Sequence, residues 1–190
     1  MKTPYLIEGK IFSPHLVFIK YGNSFSDEEL LSLLGLKSHI PMSNDEDAIS
    51  SLYLTDSNGW INIIDDWLYS LWYSSEFRTN VELLAKKYEV FWCSIGEADD
   101  SYDFSYYKNG LLQRKYVVED PDYTKGHVTE SIGQPLTAEA EALTKKDNLD
   151  KVLLIAKSIG INTDYQNLTP RKYGIPKKYG FFKTILNKLS

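Results

Sequence analysis

A single cysteine, Cys93, among 190 residues excludes an intramolecular disulfide and any multi-thiolate metal site. Histidine is nearly as scarce, and His15, His39 and His127 fall in three separate segments without the short spacing that pairs metal ligands. No run of 18 apolar residues exists, and the opening MKTPYLIEGKIF lacks the apolar core of a signal peptide. The expected setting is therefore cytoplasmic, with no membrane partner. No serine stands in a nucleophile-elbow glycine pattern, and no glycine-rich phosphate loop is present. These absences remove serine-hydrolase and nucleotide-binding signatures, and neither a cofactor nor a metal site is expected.

The chain is nonetheless built to fold. Hydrophobic residues make up 43% and aromatic residues 14%, enough for one sizeable core and too much for a disordered chain. The fourteen tyrosines outnumber the eight phenylalanines, which suits rings lying half-buried on a sheet face or an interface. Charge is divided unevenly. Residues 165–190 hold six Lys or Arg and no Asp or Glu, which leaves 15 basic against 26 acidic side chains in residues 1–164. The expected organisation is one domain over 1–164 followed by a basic C-terminal tail over 165–190. An acidic body favours a basic partner protein and repels nucleic acid, despite the basic–aromatic RKYG and KKYG of the tail.

Local signals predict an α+β fold: an antiparallel β-sheet built from hairpins, with packed α-helices. Residues 5–12 and 15–21 read as strands joined near Ser13-Pro14. Ser26 and Glu29 form a capping box opening a leucine-rich helix that Gly35 ends. Residues 37–47 read as a loop. Asn58-Gly59 predicts a type I′ hairpin turn, with Leu52, Leu54, Ile61 and Ile63 on one face and Tyr53, Thr55, Trp60 and Asn62 on the other. Residues 67–75 do not decide between helix and irregular structure. Residues 77–88 read as a helix, with Val81, Leu84 and Tyr88 on one stripe and Leu83 widening it. Residues 119–135 read as a long loop, because Pro121, Gly126, Gly133 and Pro135 punctuate them. Thr137 is expected to cap a short helix and Asn148 a longer one ending at Gly160. Beyond Ile161, proline and glycine leave only FFKTILNKL as an amphipathic candidate.

The most distinctive chemistry lies in residues 89–120, a strand, an acidic connector and a tyrosine-rich hairpin turning at Asn109-Gly110. Pairing about that turn places Tyr106 opposite Gln113, Ser105 opposite Arg114 and Tyr102 opposite Val117, with Asp103 diagonal to Arg114. Glu97, Asp99, Asp100 and Asp103, with Tyr102 and Tyr106, are the candidate partner-binding residues. No catalytic residue is assigned. Asp65, Asp66 and the connector carboxylates lack the periodicity and glycine of a calcium loop. Cys93 sits in an apolar strand, where a buried, inert thiol is expected.

The order LVFIKYG, SDEELLSLLGL, NGWINIID, ELLAKKYEVFWCSIGEADDSYDFSYYKNGLLQRKY and LLIAKSIGI, over roughly residues 15–161, resembles a family of uncharacterised bacterial domains. Some of these look like immunity-type proteins of polymorphic toxin systems. The resemblance carries no catalytic residues. It implies a non-enzymatic antagonist, whose acidic, tyrosine-rich surface occludes the basic cleft of a partner such as a toxin domain. The alternative is a carboxylate-based hydrolase or metal-dependent enzyme. The two differ in geometry, since an enzyme gathers carboxylates in one concave pocket and an antagonist spreads them over a rim.

Overall fold

Strand-forming runs flanking short turns organise the chain. The computed structural model describes residues 6–7, 10–11, 15–22, 26–65, 71–96 and 99–177. At the start, β1 (Leu6–Ile7) and β2 (Lys10–Ile11) pair with each other in a two-stranded sheet. The apolar run His15–Lys20 becomes β3, at the middle of a nine-stranded antiparallel sheet. Two-sided burial explains its composition: Leu16 and Phe18 face one core, Val17 and Ile19 the other. The further elements are α1 (Asp27–Leu33), β4 (Ile40–Met42), β5 (Ala48–Ser57), β6 (Trp60–Asp65), α2 (Ser75–Ala85), β7 (Glu89–Ile95), β8 (Tyr102–Lys108), β9 (Leu111–Glu119), β10 (His127–Gly133), α3 (Glu139–Ala142), α4 (Asn148–Ser158) and β11 (Arg171–Pro176). The strand order is β10-β9-β8-β7-β3-β6-β5-β11-β4, and every described pairing is antiparallel.

Both Asn-Gly pairs adopt positive φ, at 54° and 78° for Asn58-Gly59 and 55° and 75° for Asn109-Gly110. Around the first turn Thr55 faces Asn62 and Leu54 faces Ile63, the expected register. Leu52, Leu54, Ile61 and Ile63 pack with α1 and α2, while Tyr53, Trp60 and Ile64 enter the opposite core with α3 and α4.

The second hairpin departs from simple alternation. Tyr107 faces Leu112, but Tyr106 faces Arg114, so Gln113 is the extra residue of a β-bulge. Ser105 then faces Lys115, Asp103 faces Val117 and Tyr102 faces Val118, one residue displaced from the sequence-based register. Core burial accounts for the displacement. It brings Tyr116 and Val118 onto the face of Tyr102, Phe104 and Tyr106, where a simple hairpin would put Lys115 and Gln113. Gln113 Nε2 donates back to the carbonyls of Lys108 and Leu111, at 3.3 and 3.1 Å.

The bulge also buries Arg114 on the α3 side. Its guanidinium grips both Glu139 oxygens, with Nε 3.0 Å from Oε2, and Nη1 donates to Ser131 Oγ and to the carbonyls of Ile132 and Gly133. Glu139 Oε2 accepts the Leu136 N–H as well, so α3 opens on this ion pair and not on a Thr137 cap. The proposed Asp103–Arg114 contact is replaced: the two side chains lie on opposite faces.

Several other expectations are corrected. Residues 127–133 are a strand, because Val128 and Ile132 extend the ladder on β9 despite the surrounding Pro and Gly. Residues 40–42 form edge strand β4. Asp147, not Asn148, caps α4, accepting from the Leu149 and Asp150 N–H groups. Helix α2 starts at Ser75 behind the Ser74 cap, and Leu83 points to solvent. The Ser26–Glu29 capping box is present as expected.

The stretch set apart as a basic tail also joins the body. β11 lies between β5 and β4, and Arg171 makes a bidentate pair with Asp27 at 2.6 and 2.9 Å and a further pair with Asp56. The Tyr173 hydroxyl donates to Asp27 at 2.7 Å. Its strand-compatible RKYGI outweighed the proline and glycine, which suit a position beside short edge strand β4. FFKTILNKL lies outside the described residues, as do Ser13-Pro14.

Two stability predictions arise here. Gly59 has positive φ with nothing near a would-be Cβ, so Gly59→Ala should cost about 1–2 kcal/mol from backbone conformation alone. At Gly133, also at positive φ, a Cβ would lie 2.0 Å from the bulged Gln113 carbonyl oxygen, and Gly133→Ala should cost more; urea unfolding would show equal losses if the bulge is absent. Glu139→Gln should cost roughly 3 kcal/mol by leaving a buried guanidinium uncompensated, whereas the double change Arg114→Met with Glu139→Leu should cost less. Melting curves in which the double variant is the worse of the two would contradict this.

Candidate functional site

The two faces of the sheet are covered to different extents. On one side α3 and α4 cover a core reaching from β5 and β6 to Tyr116 and Val118 of β9. On the other, the core under α1 and α2 ends at Val90 and Trp92 of β7, with Tyr107 at its margin. The face of β8, β9 and β10 beyond α2 carries no helix among the described residues. Here lies a cavity of about 550 Å³.

Strand register sets its floor. One row across the sheet runs His15, Ser94, Asp103, Val117 and Glu130, and the next runs Val17, Trp92, Ser105, Lys115 and Ile132. Helix α2 supplies the opposite wall through Phe77, Arg78, Val81 and Glu82, and Glu119 stands at the open end of β9. The result is a trough lined by four carboxylates and two cations, with the buried Val17 and Trp92 beneath it and Val117 on β9. Lys115 pairs diagonally with Glu130 at 2.5 Å. Among the described residues, no cation lies within 4.0 Å of Glu82, Asp103 or Glu119.

Asp103 is the most enclosed of these acids. Burial raises its carboxyl above the ordinary aspartate value, although the Ser94 hydroxyl hydrogen bond and the Lys115 charge oppose the rise. His15 lies at the inner end, and burial, with the Arg78 charge adding, lowers its imidazole to about 3. It is neutral at physiological pH and contributes shape more than charge. Cys93 is buried on the opposite face, where burial pushes its thiol well up and leaves it inert.

The sequence-predicted residues are separated. Asp103 enters the trough, but Tyr102 and Tyr106 are each 6% exposed in the core beneath α3 and α4 and offer no contact surface. Alternation on β8 dictates this split. Asp99 Oδ1 accepts from Ser101 N–H at 2.9 Å and from its hydroxyl, and Asp100 N–H donates to Asp120 Oδ2 at 3.1 Å. These residues shape the connector, which Asn148 Nδ2 further ties through the carbonyls of Asp99 and Ser101. Glu97 and Asp66 lie outside the described residues. Asp65 is buried and accepts the Leu71 N–H. Among the described residues no three His, Cys, Asp or Glu side chains are grouped to hold a metal ion, and no described helix is long and apolar enough to cross a membrane.

Sequence reasoning missed Glu82, Lys115, Glu119 and Glu130. The available signal was the alternation of Tyr116 and Val118, which matches the aromatic face of β8 only if one residue is skipped. That skip turns Lys115, Val117 and Glu119 toward the trough.

A raised carboxyl pKa is a stability cost with a definite pH dependence. The cost from Asp103 is absent below the unfolded carboxyl value, where both states are protonated. It is fully present above the raised folded value. Asp103→Asn keeps an oxygen to accept from Ser94, so it should raise the melting temperature at pH 7, with the gain vanishing in acid. A variant destabilised equally at both pH values would show that the carboxylate is favourably placed.

The chain matches no family model, no curated protein and no solved structure among those compared.

Proposed function

We propose that this chain is a non-enzymatic protein-binding domain, an immunity-like antagonist that uses an acidic surface to occlude a basic cleft of its partner. The observation that carries the reading is the uncovered, carboxylate-flanked trough beside α2. Glu82, Asp103 and Glu119 stand there without an ion-pair partner among the described residues, so a cationic surface gains charge-assisted contacts by docking. Long-range attraction from these charges also speeds encounter with a basic protein. Tyr102 and Tyr106 lie in the core beneath α3 and α4 and add no contact area to this surface.

A second reading has one observation in its favour. Four carboxylates share a concavity, and burial raises the Asp103 carboxyl above its ordinary value, which suits a carboxylate-based hydrolase. The binding reading is preferred because Glu130 is held by Lys115 and no pair of acids is seated on a common buried position.

Two triple variants separate the readings. Glu82→Gln with Asp103→Asn and Glu119→Gln alters the trough, while Glu97→Gln with Asp99→Asn and Asp100→Asn alters the connector. Incubated with cell lysate at low ionic strength, the wild type should retain a basic protein that the trough variant retains about tenfold less well, with recovery falling as salt rises. Equal recovery by both variants would remove the acidic surface from the binding role. Loss of turnover on a substrate with affinity preserved would establish the enzymatic reading instead.

A further inference from the structure

Strand β11 is antiparallel to both of its neighbours, so β4 and β5 run parallel to each other with β11 between them. Met42 stands opposite Lys172 and Ala48 opposite Pro176, so residues 43–47 cross β11 while running back along it. That path measures roughly 16 Å, taking ~3.3 Å per strand residue and ~4.8 Å per strand spacing, and the extended chain from Met42 to Ala48 reaches roughly 20 Å. Parallel strands are ordinarily joined by about a dozen residues or more. The connection is therefore a nearly taut strap over β11. Lys172 fixes which face it crosses, because its Nζ donates to the carbonyls of Glu46 at 2.6 Å and Asn44 at 3.5 Å. Gly174 lies on the same face, and a Cβ there would stand 2.8 Å from Met42 Sδ and 3.2 Å from Ala48 Cβ, at the two ends of the strap. We propose that residues 40–47, β4 with its strap, are a latch that opens and closes as a unit over β11 while β11 stays paired with β5. The inference is independent of the binding reading above.

Burial places the moving boundary between β4 and β11. The body holds β11 firmly: Tyr173 enters the core with α1, Arg171 grips Asp27, and the strand pairs with β5 from Arg171 to Pro176. By contrast, β4 pairs with β11 over Ile40–Met42 alone, and Ile40, Pro41 and residues 43–47 are exposed. Local stability follows buried contact, so this segment opens before β11 does. The strap is itself a preformed turn and moves as one piece. Ser43 N–H donates to Glu46 Oε2 at 2.6 Å, and Glu46 N–H donates to the Ser43 carbonyl at 3.2 Å. Lys172 acts as its clasp, a buried cation bonded to strap carbonyls, and Lys177 N–H donates to the Asp47 carbonyl at 3.3 Å. Ahead of β4 the hinge is fixed by His39, whose N–H donates to the Leu36 carbonyl at 3.0 Å and whose Nε2 lies 3.1 Å from Ser50 Oγ. The order of assembly follows. Entry of β11 beneath a closed strap would thread the chain through a loop, which folds avoid, so β11 docks on β5 first and the latch closes last.

Amide hydrogen exchange of the full chain, followed residue by residue by NMR, tests the latch. Pro41 has no N–H, so the ladder bonds between β4 and β11 fall at Ile40–Gly174 and Met42–Lys172. By alternation the Tyr173 amide faces β5, opposite Leu52. In the wild type the Met42 and Gly174 amides should exchange about tenfold or more faster than those of Tyr173 and Leu52. Lys172→Met keeps the buried stem and removes the clasp. It should speed exchange at Met42 and Gly174 by about another tenfold and leave Tyr173 and Leu52 unchanged. Glu46 is exposed, so Glu46→Ala leaves the body folded while loosening the strap turn. It should speed the same two amides severalfold, which decides the question if Lys172→Met fails to fold. A common rate for all four amides in the wild type would mean that β4 and β11 leave the sheet together, and would overturn the proposal. Equal acceleration of all four in a folded variant, or no change at Met42 and Gly174, would overturn it as well.

Discussion

The extra residue at Gln113 is the constraint on which the rest of this molecule depends. A strand reads alternately to its two faces, so one inserted residue exchanges every later side chain between core and surface. After the bulge, Arg114, Tyr116 and Val118 point toward α3 and α4, and Lys115, Val117 and Glu119 line the trough. Without it the aromatic layer of Tyr102, Phe104 and Tyr106 would face Lys115 and Gln113. The trough would then hold Arg114 and Tyr116 in place of its present floor. The insertion is supported locally by the Gln113 amide on the turn carbonyls and by Gly133, which leaves room for the bulged backbone.

One consequence is that stability and the proposed recognition draw on the same strand but on opposite faces. The buried Arg114–Glu139 pair ties β9, β10 and the start of α3 together through bidentate bonds and three further acceptors. Such a pair contributes orientation more than net energy, because desolvation offsets much of its attraction. Its neighbour Lys115 is half-exposed and bonded to Glu130, with freedom to rearrange when a charged partner arrives. Asp103 is the opposite case, an enclosed acid that burial disfavours in its charged form. A group that weakens the free fold and gains from a cation is consistent with a surface shaped for a partner.

The Arg171 cluster makes a parallel arrangement at the other end of the sheet. Burial pulls the Asp27 carboxyl upward, but the Arg171 guanidinium and the Tyr173 hydroxyl hold it below the ordinary range. Stability from this cluster is present above the unfolded aspartate value and is lost as pH falls through the depressed folded value. Arg171 thereby fastens β11 to the first turn of α1 and to β5, joining residues 144 apart in sequence.

Local signals in the sequence were sufficient wherever the decisive interaction lies within a few residues. The Ser26–Glu29 capping box, both Asn-Gly turns and the faces of the first hairpin follow from neighbours that meet whatever the rest of the chain does. The acidic character of the body was equally plain from composition. Tertiary structure decided what depends on distant partners: that His127–Gly133 joins the ladder, that Arg171–Pro176 enters between β4 and β5, and that Tyr102 and Tyr106 are core residues. It also decided the trough, whose carboxylates come from α2, β8, β9 and β10. The physical reason is the bulge, whose benefit comes from burying Tyr116 and Val118 beneath helices that follow much later in the chain. Local propensity registers no preference between the two registers, and burial against α3 and α4 supplies one.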